Sequence, residues 1–83
     1  MNLKYTASAL EELSGLSLSF KKRIVSKMWW YAAQKNPLAQ AKKLVGYDAY
    51  RFRVGDYRII CDIEKETIIV LTIVPRDKAY RGL

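Results

Sequence analysis

The sequence predicts an α+β fold in which one strand and a helical hairpin precede three antiparallel strands, an order written βααβββ. Apolar residues recur every three or four positions in the first half of the chain and at alternate positions in the second half. Most elements therefore have one apolar side, and the helices should pack on one face of the sheet. With 83 residues, the chain is expected to form a single domain spanning residues 1–83.

The N-terminal segment combines a short strand with a short helix. Polar and apolar residues alternate over Asn2–Tyr5, which predicts an edge strand. Thr6 and Ser8 are both candidate N-caps for the helix that follows, and Ser8 with Glu11 matches a capping box. Gly15 is expected to end this helix.

A second, longer helix is predicted from Ser17 or Ser19 to about Lys35, because Asn36 and Pro37 stop it there. On a helical projection six residues share one apolar stripe, which is expected to face the core. They are Phe20, Ile24, Val25, Met28, Tyr31 and Ala32.

Two tryptophans lie outside the centre of that stripe. Trp29 is at its margin, whereas Trp30 projects onto the polar side near Arg23 and Lys27. Trp30 is either a rim residue stacked on those cations or an anchor for a protein partner. The sequence leaves both interpretations open.

The second half of the chain is predicted to form strands joined by turns. Residues 38–46 form a short helical or irregular connector that carries Lys42 and Lys43. Strands are predicted at roughly 49–54, 56–63 and 67–74, with a turn at Gly55 and Asp56. The last strand is apolar on both faces and is expected to be central in the sheet.

Arginines alternate with apolar residues in the first two of these strands. If the strands form a hairpin, Arg51, Arg53 and Arg58 share the face opposite Phe52 and Ile59. An ordinary solvated face is one explanation. However, like charges opposite one another are mildly destabilising, and guanidinium groups match phosphate oxygens in a bidentate manner. A polyanion that neutralises these arginines is therefore the alternative explanation.

A further arginine and a tyrosine follow the last strand. Arg76 and Tyr80 lie four residues apart after Pro75, so a helical turn would place them on one side. They could contact a phosphate and stack on a base, or they could belong to a solvated C-terminus. The spacing alone does not decide between these two possibilities.

Composition limits the classes of function. Fifteen basic and eight acidic residues leave a net charge of +7, which favours nucleic acid, ribosomes or an acidic protein as partner. The chain has no histidine, and its single cysteine, Cys61, falls on the apolar face of a strand, where a buried and inert thiol is expected. No metal or cofactor is expected, and the lack of a long apolar run predicts a cytoplasmic protein that does not enter a membrane.

One run of the sequence, with two later motifs, resembles the RelE/ParE toxin superfamily of type II toxin–antitoxin systems. It extends from Leu44 to Ile60 and contains Tyr50-Arg51-Phe52-Arg53-Val54-Gly55-Asp56-Tyr57-Arg58. The apolar run Val70-Leu71-Thr72-Ile73-Val74 and the pair Arg76 and Tyr80 add to the likeness. The resemblance covers nearly the whole chain.

The resemblance implies a RelE-type toxin, an endoribonuclease that cuts mRNA in the ribosomal A site by attack of a 2′-OH on the adjacent phosphate. Arg58 would bind the scissile phosphate and stabilise its developing charge. Arg76 would stabilise or protonate the 5′-oxygen leaving group, and Tyr80 would orient or stack the RNA. Arg51 and Arg53 stand where relatives often carry lysines, one of them a proposed general base. Further RNA contacts are expected from Lys42, Lys43, Lys78 and Arg81.

The chain departs from the family pattern in ways that affect activity. Arginine is a much poorer proton acceptor than lysine at neutral pH, and Pro75 stands where many relatives carry a histidine. We therefore expect a slow nuclease that depends on the ribosome. A ParE-like inhibitor of DNA gyrase, or an inactive member that only binds antitoxin, is the alternative.

The resemblance also implies partners. An acidic, RelB-like antitoxin segment would fold on the basic toxin, with Trp29 and Trp30 as its docking strip. The other expected partners are the ribosome and mRNA. Any contact with DNA would be made indirectly, through the antitoxin complex.

Overall fold

The computed structural model describes residues 1–76 of the chain. Its elements, in chain order, are β1 (Asn2–Tyr5), α1 (Ala7–Ser14), α2 (Leu18–Ala33), a 3-10 helix (Pro37–Gln40), β2 (Lys42–Lys43), β3 (Tyr50–Val54), β4 (Tyr57–Glu64) and β5 (Thr67–Pro75). Neither helix of this part of the chain is long and apolar enough to cross a membrane.

The strands form one five-stranded mixed sheet in the order β1-β5-β4-β3-β2. β1 runs parallel to β5 at one edge, as predicted for an edge strand, and the other neighbours are antiparallel. The α+β fold with the predicted order of helices and main strands is confirmed. Two details differ: Lys42–Lys43 adds a short strand, and the central position belongs to β4 rather than to the apolar β5.

The helices pack on one face of the sheet and enclose the main core. Phe52, Ile59, Ile68 and Val70 from the strands are almost completely buried there, together with Met28 of α2. A smaller buried cluster lies on the other face, where the loop between β2 and β3 covers part of the sheet. Its members are Leu44, Ala49, Ile60 and Val74.

One member of the predicted core stripe is not in the core. Phe20 lies in the first turn of α2 and keeps 40% of its surface exposed. Its ring packs edge-on against that of Tyr57, with the ring centroids 5.5 Å apart. The helical projection places Phe20 on the apolar stripe, but the first turn of α2 lies over the end of the sheet. There the Phe20 ring meets the ring of Tyr57.

The first helix is capped by Thr6, so the predicted capping box of Ser8 and Glu11 is wrong. The Thr6 hydroxyl accepts a hydrogen bond from the Ala9 N–H at 3.1 Å and donates one to the Leu71 carbonyl at 3.2 Å. The second of these bonds crosses to β5, and no local pattern in the sequence could have revealed it. Ser17 caps α2, as one of its two predicted candidates.

The outer edge of β5 is closed by two different elements. β1 pairs only with Thr67–Val70, and a register irregularity follows, because Cys61 pairs with Val70 whereas Ile60 pairs with Thr72. Beyond this point the Glu12 carboxylate accepts hydrogen bonds from the Thr72 hydroxyl at 2.9 Å and from the Ile73 N–H at 3.1 Å. A side chain of α1 thus takes the place of the missing strand.

We predict that Glu12→Ala lowers the free energy of unfolding by about 1 kcal/mol, because it leaves two donors of β5 without their carboxylate partner. The partial exposure of this site keeps the loss small. Glu11→Ala is the matched control, since Glu11 is equally acidic and exposed and its carboxylate makes no hydrogen bond within residues 1–76. Urea unfolding curves measure both variants, and equal midpoints would show that Glu12 does not close the edge.

Candidate nucleic-acid interface

The pairing of β3 with β4 brings the predicted arginines together. Arg53 lies directly opposite Arg58. Arg51 lies opposite Ile60, two residue pairs away from them along the hairpin. Opposite residues share a face of a sheet, and alternate residues along a strand return to it. The three arginines therefore lie on the face turned away from the helices, as predicted.

Lys42 extends this group of cations. β2 pairs with β3 so that Lys42 lies opposite Arg51. Lys42, Arg51 and Arg53 line a shallow cavity of about 310 Å³ together with residues 39–41. We call Lys42, Arg51, Arg53 and Arg58 the cationic face.

The cationic face has no counterion within the part of the chain that the structure describes. The one ion pair among residues 1–76 joins Lys43 to Asp48 at 3.8 Å, and both side chains are largely exposed. The repulsion between Arg53 and Arg58 is therefore not offset by a carboxylate there. A bound anion would offset it, and guanidinium groups are suited to phosphate.

The other predicted lysine of this segment does not join the cationic face. Lys43 lies opposite Tyr50, which projects to the other side of the sheet. Its ammonium nitrogen is 6.0 Å from the centroid of the Tyr50 ring and pairs with Asp48. Its predicted contact with RNA gains no support from this placement.

A buried tyrosine holds the strand that carries the arginines. The Tyr31 hydroxyl of α2 donates a 2.7 Å hydrogen bond to the carbonyl of Arg53, and its ring lies 4.8 Å from that of Phe52. Burial raises the pKa of Tyr31, so the hydroxyl stays protonated and able to donate. The core thus fixes the backbone of β3 from behind the cationic face.

Arg76 lies at the same end of the sheet as the Arg53–Arg58 pair. Its backbone N–H donates a 2.6 Å hydrogen bond to the Asp56 carbonyl, one step beyond the pairing of Pro75 with Tyr57. Its exposed side chain lines an open cavity of about 540 Å³ with Phe20, Asp56, Tyr57 and Pro75. The predicted site residues Lys78, Tyr80 and Arg81 lie outside the described residues.

Arg23 is a basic residue of this region that the sequence placed only on the polar side of α2. Its guanidinium lies against the β3–β4 turn, and a methyl group at Gly55 would meet its central carbon at 3.3 Å. Gly55 also has a φ of +57°, a conformation that favours glycine. The contact joins residues 32 positions apart, and no sequence pattern reveals it.

The cationic face consists of arginine and lysine side chains and offers no histidine, carboxylate or thiol for acid–base or nucleophilic chemistry. Cys61 is fully buried, as predicted, and burial raises the pKa of its thiol to about 12, so we expect the side chain to be inert. Among these residues no three histidine, cysteine or carboxylate side chains lie close enough together to hold a metal ion. What the cationic face can do is bind an anion and stabilise negative charge that develops on it.

A family model and several solved structures match this chain. The model of the family described as the ParE toxin of the type II toxin–antitoxin system parDE matches residues 3–80. No curated protein matches the sequence.

Three solved structures illustrate the similarity. The RelBE2 toxin–antitoxin complex of Mycobacterium tuberculosis contains a chain with a TM-score of 0.80 and 23% identity, covering 90% of this chain and 96% of that one. For the RelB–RelE complex of Methanococcus jannaschii the values are 0.67 and 26%, with 89% and 91% covered. For a chromosomal ParDE system of Pseudomonas aeruginosa they are 0.69 and 16%, with 90% and 95% covered.

We predict that Cys61 in the folded protein resists alkylation by iodoacetamide at pH 8, whereas the urea-unfolded chain reacts at the rate of a free cysteine. The thiolate is the reactive species, and a pKa near 12 leaves about one thiol in ten thousand ionised at pH 8, in addition to the shielding by the core. Mass spectrometry of timed samples gives both rates. Similar rates in the two states would contradict the buried, protonated thiol.

Proposed function

The chain belongs to the ParE toxin family of type II toxin–antitoxin systems, within the RelE/ParE superfamily, and we propose that it is a ribosome-dependent endoribonuclease that cleaves mRNA in the A site. The observation that supports this activity is the directly opposed pair Arg53 and Arg58. Arg51 and Lys42 continue the same face, and no carboxylate within residues 1–76 neutralises it. Arg53 and Lys42 are exposed, Arg51 and Arg58 are half-buried, and a group of cations of this kind suits the backbone of a nucleic acid.

In the proposed reaction the 2′-OH of a nucleotide attacks the adjacent phosphorus atom. The bond from phosphorus to the 5′-oxygen breaks, which leaves a 2′,3′-cyclic phosphate on one fragment and a 5′-OH on the other. Arg58 binds the non-bridging oxygens and stabilises the charge that develops on them, and Arg53 lies opposite to share this role. Arg76 stabilises the leaving oxygen, and Tyr80 orients the RNA.

The arginines supply no acceptor for the proton of the attacking 2′-OH. A guanidinium with a pKa above about 12 does not accept the 2′-OH proton at neutral pH, so Arg51 and Arg53 act as electrostatic clamps. Ribosomal RNA or water takes the proton instead, and water supplies the proton that the leaving 5′-oxygen gains. Positioning on the ribosome then supplies most of the acceleration, which explains why the proposed enzyme needs the ribosome and is slow.

A second candidate is inhibition of DNA gyrase by protein binding. The matching family model is that of ParE toxins, and a ParDE system is among the solved structures of similar fold. This activity requires no group of arginines that faces a phosphate. A gyrase supercoiling assay distinguishes this activity from RNA cleavage.

We further propose that an acidic, RelB-like antitoxin segment docks on the exposed aromatic strip of α2. Trp29 and Trp30 are 57% and 47% exposed, which is unusual for side chains of this size. The Lys27 ammonium lies 4.1 Å from the centroid of the Trp30 ring, so both the predicted cation stacking and an exposed surface occur at Trp30. Trp29 makes no such contact within residues 1–76 and is therefore the stronger candidate for an anchor.

The nuclease proposal predicts that wild-type protein cuts a translated mRNA within codons at the A site and that Arg58→Ala reduces the cutting at least about a hundredfold. The reason is the loss of a charged hydrogen-bond donor to the transition state. Primer extension on mRNA in a purified translation system measures the cuts. Free mRNA without ribosomes should remain intact.

The matched control is Lys35→Ala, which removes one exposed positive charge outside the sheet and should leave cleavage unchanged. Intact message with folded wild-type protein would contradict the nuclease proposal. A gyrase supercoiling assay on the same samples would then identify a gyrase inhibitor, and inhibition retained in Arg58→Ala would indicate a contact that does not use the cationic face.

The antitoxin proposal predicts that Trp29→Ala weakens the binding of full-length cognate antitoxin by about thirtyfold or more, as expected for a hot-spot tryptophan. Trp30→Ala should have a smaller effect, because Lys27 already covers one face of that ring in the free protein. Leu18→Ala, an equally exposed apolar site at the other end of α2, serves as the control. Unchanged affinity of Trp29→Ala by calorimetry would rule out this docking strip.

A further inference from the structure

The open cavity at the end of the β3–β4 hairpin is chemically distinct from the cationic face. Its walls are the rings of Phe20 and Tyr57 with Pro75, and its polar groups are the side chains of Asp56 and Arg76. With a volume of about 540 Å³ it falls within the range of small-ligand sites. None of the roles assigned above uses Phe20, Tyr57 or Asp56.

The aromatic walls leave the face of one ring available to a planar group. Phe20 and Tyr57 meet edge to face at an interplanar angle of 63°, so each ring covers only part of the other. Phe20 remains 40% exposed and Tyr57 is only half-buried, although both are large apolar side chains beside a well-packed core. Stacking on such rings is how proteins bind the bases of single-stranded RNA.

The charged groups around the cavity suit a nucleotide. The Arg76 side chain lines it, and the Arg23 guanidinium lies against the adjoining turn at Gly55. Both can hold a phosphate. Asp56 makes no ion pair within residues 1–76, and its carboxylate can accept a hydrogen bond from an exocyclic amino group of a base.

The cavity also continues the cationic face. Tyr57 directly precedes Arg58 in β4, and Pro75 directly follows Val74, the residue opposite Arg58. These neighbours project to opposite faces, so the path from the arginines to the cavity turns around the end of the sheet. The nucleotide next to a phosphate bound at Arg58 can reach the cavity around this end of the sheet.

We propose that this cavity is a nucleobase subsite, in which a base of the bound RNA stacks on Phe20 and meets the inclined ring of Tyr57 with its edge, while Arg76 and Arg23 contact its phosphate. The assignment rests on the proposed function and adds to it a position at which the protein contacts a base as well as the backbone. Phe20 and Tyr57 thereby become residues that influence the choice of cleavage position.

The test is an NMR titration of the full-length wild-type protein with AMP, CMP, GMP and UMP, each added separately. We expect the ring signals of Phe20 and Tyr57 and the amide of Gly55 to shift on addition of a nucleotide. Phe20→Ala should raise the dissociation constant about fivefold or more, because it removes a stacking surface. Phe20→Tyr, which keeps an aromatic ring at this position, should have nearly the dissociation constant of the wild type, and Leu18→Ala should not alter that constant.

Three results would overturn the subsite. They are the absence of shifts at these rings, the same shifts with inorganic phosphate alone, and tighter binding of N-acetyl-leucinamide than of any nucleotide. The last would indicate a pocket for a protein side chain. Since the titration needs neither ribosome nor cleavage, its outcome is independent of the Arg58→Ala experiment.

A second measurement connects the cavity to cleavage. In the translation assay, Phe20→Ala should change the distribution of cuts among codons while keeping most of the total cleavage, whereas Arg58→Ala should remove it. If Phe20→Ala leaves the distribution unchanged, the cavity does not contact a base of the cleaved RNA. If wild type cuts nothing, the nuclease proposal fails while the titration still decides whether nucleotides bind.

Discussion

The pairing of β3 with β4 is the constraint on which the rest of this molecule depends. Phe52 and Ile59 are opposite one another and fully buried under the helices, so the burial of this face leaves only one register for the hairpin. A shift by one residue would bury Arg53 and Arg58 and expose the two apolar side chains. The hydrophobic core therefore brings the two arginines together, although their mutual repulsion opposes this arrangement.

The same arrangement connects stability with ligand binding. A chain of this size has a small core, and a pair of like charges that has no carboxylate partner within residues 1–76 lowers its stability further. An anion that binds the folded state at this face stabilises the fold, because the unfolded chain does not present the paired arginines. The bond from Tyr31 to the Arg53 carbonyl keeps the strand in place when no anion is bound.

The two edges of the sheet are formed by short strands and one side chain. Only two residues form β2 on one side, and β1 covers less than half of β5 on the other. The Glu12 carboxylate completes the second edge by binding the Ile73 N–H, which would otherwise lack a partner. The C-terminal end of β5, next to the cavity, is thus held by a side chain and by its pairing with β4.

The sequence by itself determined the class of fold, the main strands and the shared face of Arg51, Arg53 and Arg58, because the alternation of apolar and basic residues permits only one burial of the hairpin. It also indicated the buried Cys61. Only the tertiary structure decided the position of Phe20, the capping role of Thr6, the pairing of Lys42 with Arg51 and the contact of Arg23 with Gly55. These features depend on how separate elements meet, and periodicity reports only which side of an element is apolar, not what that side meets.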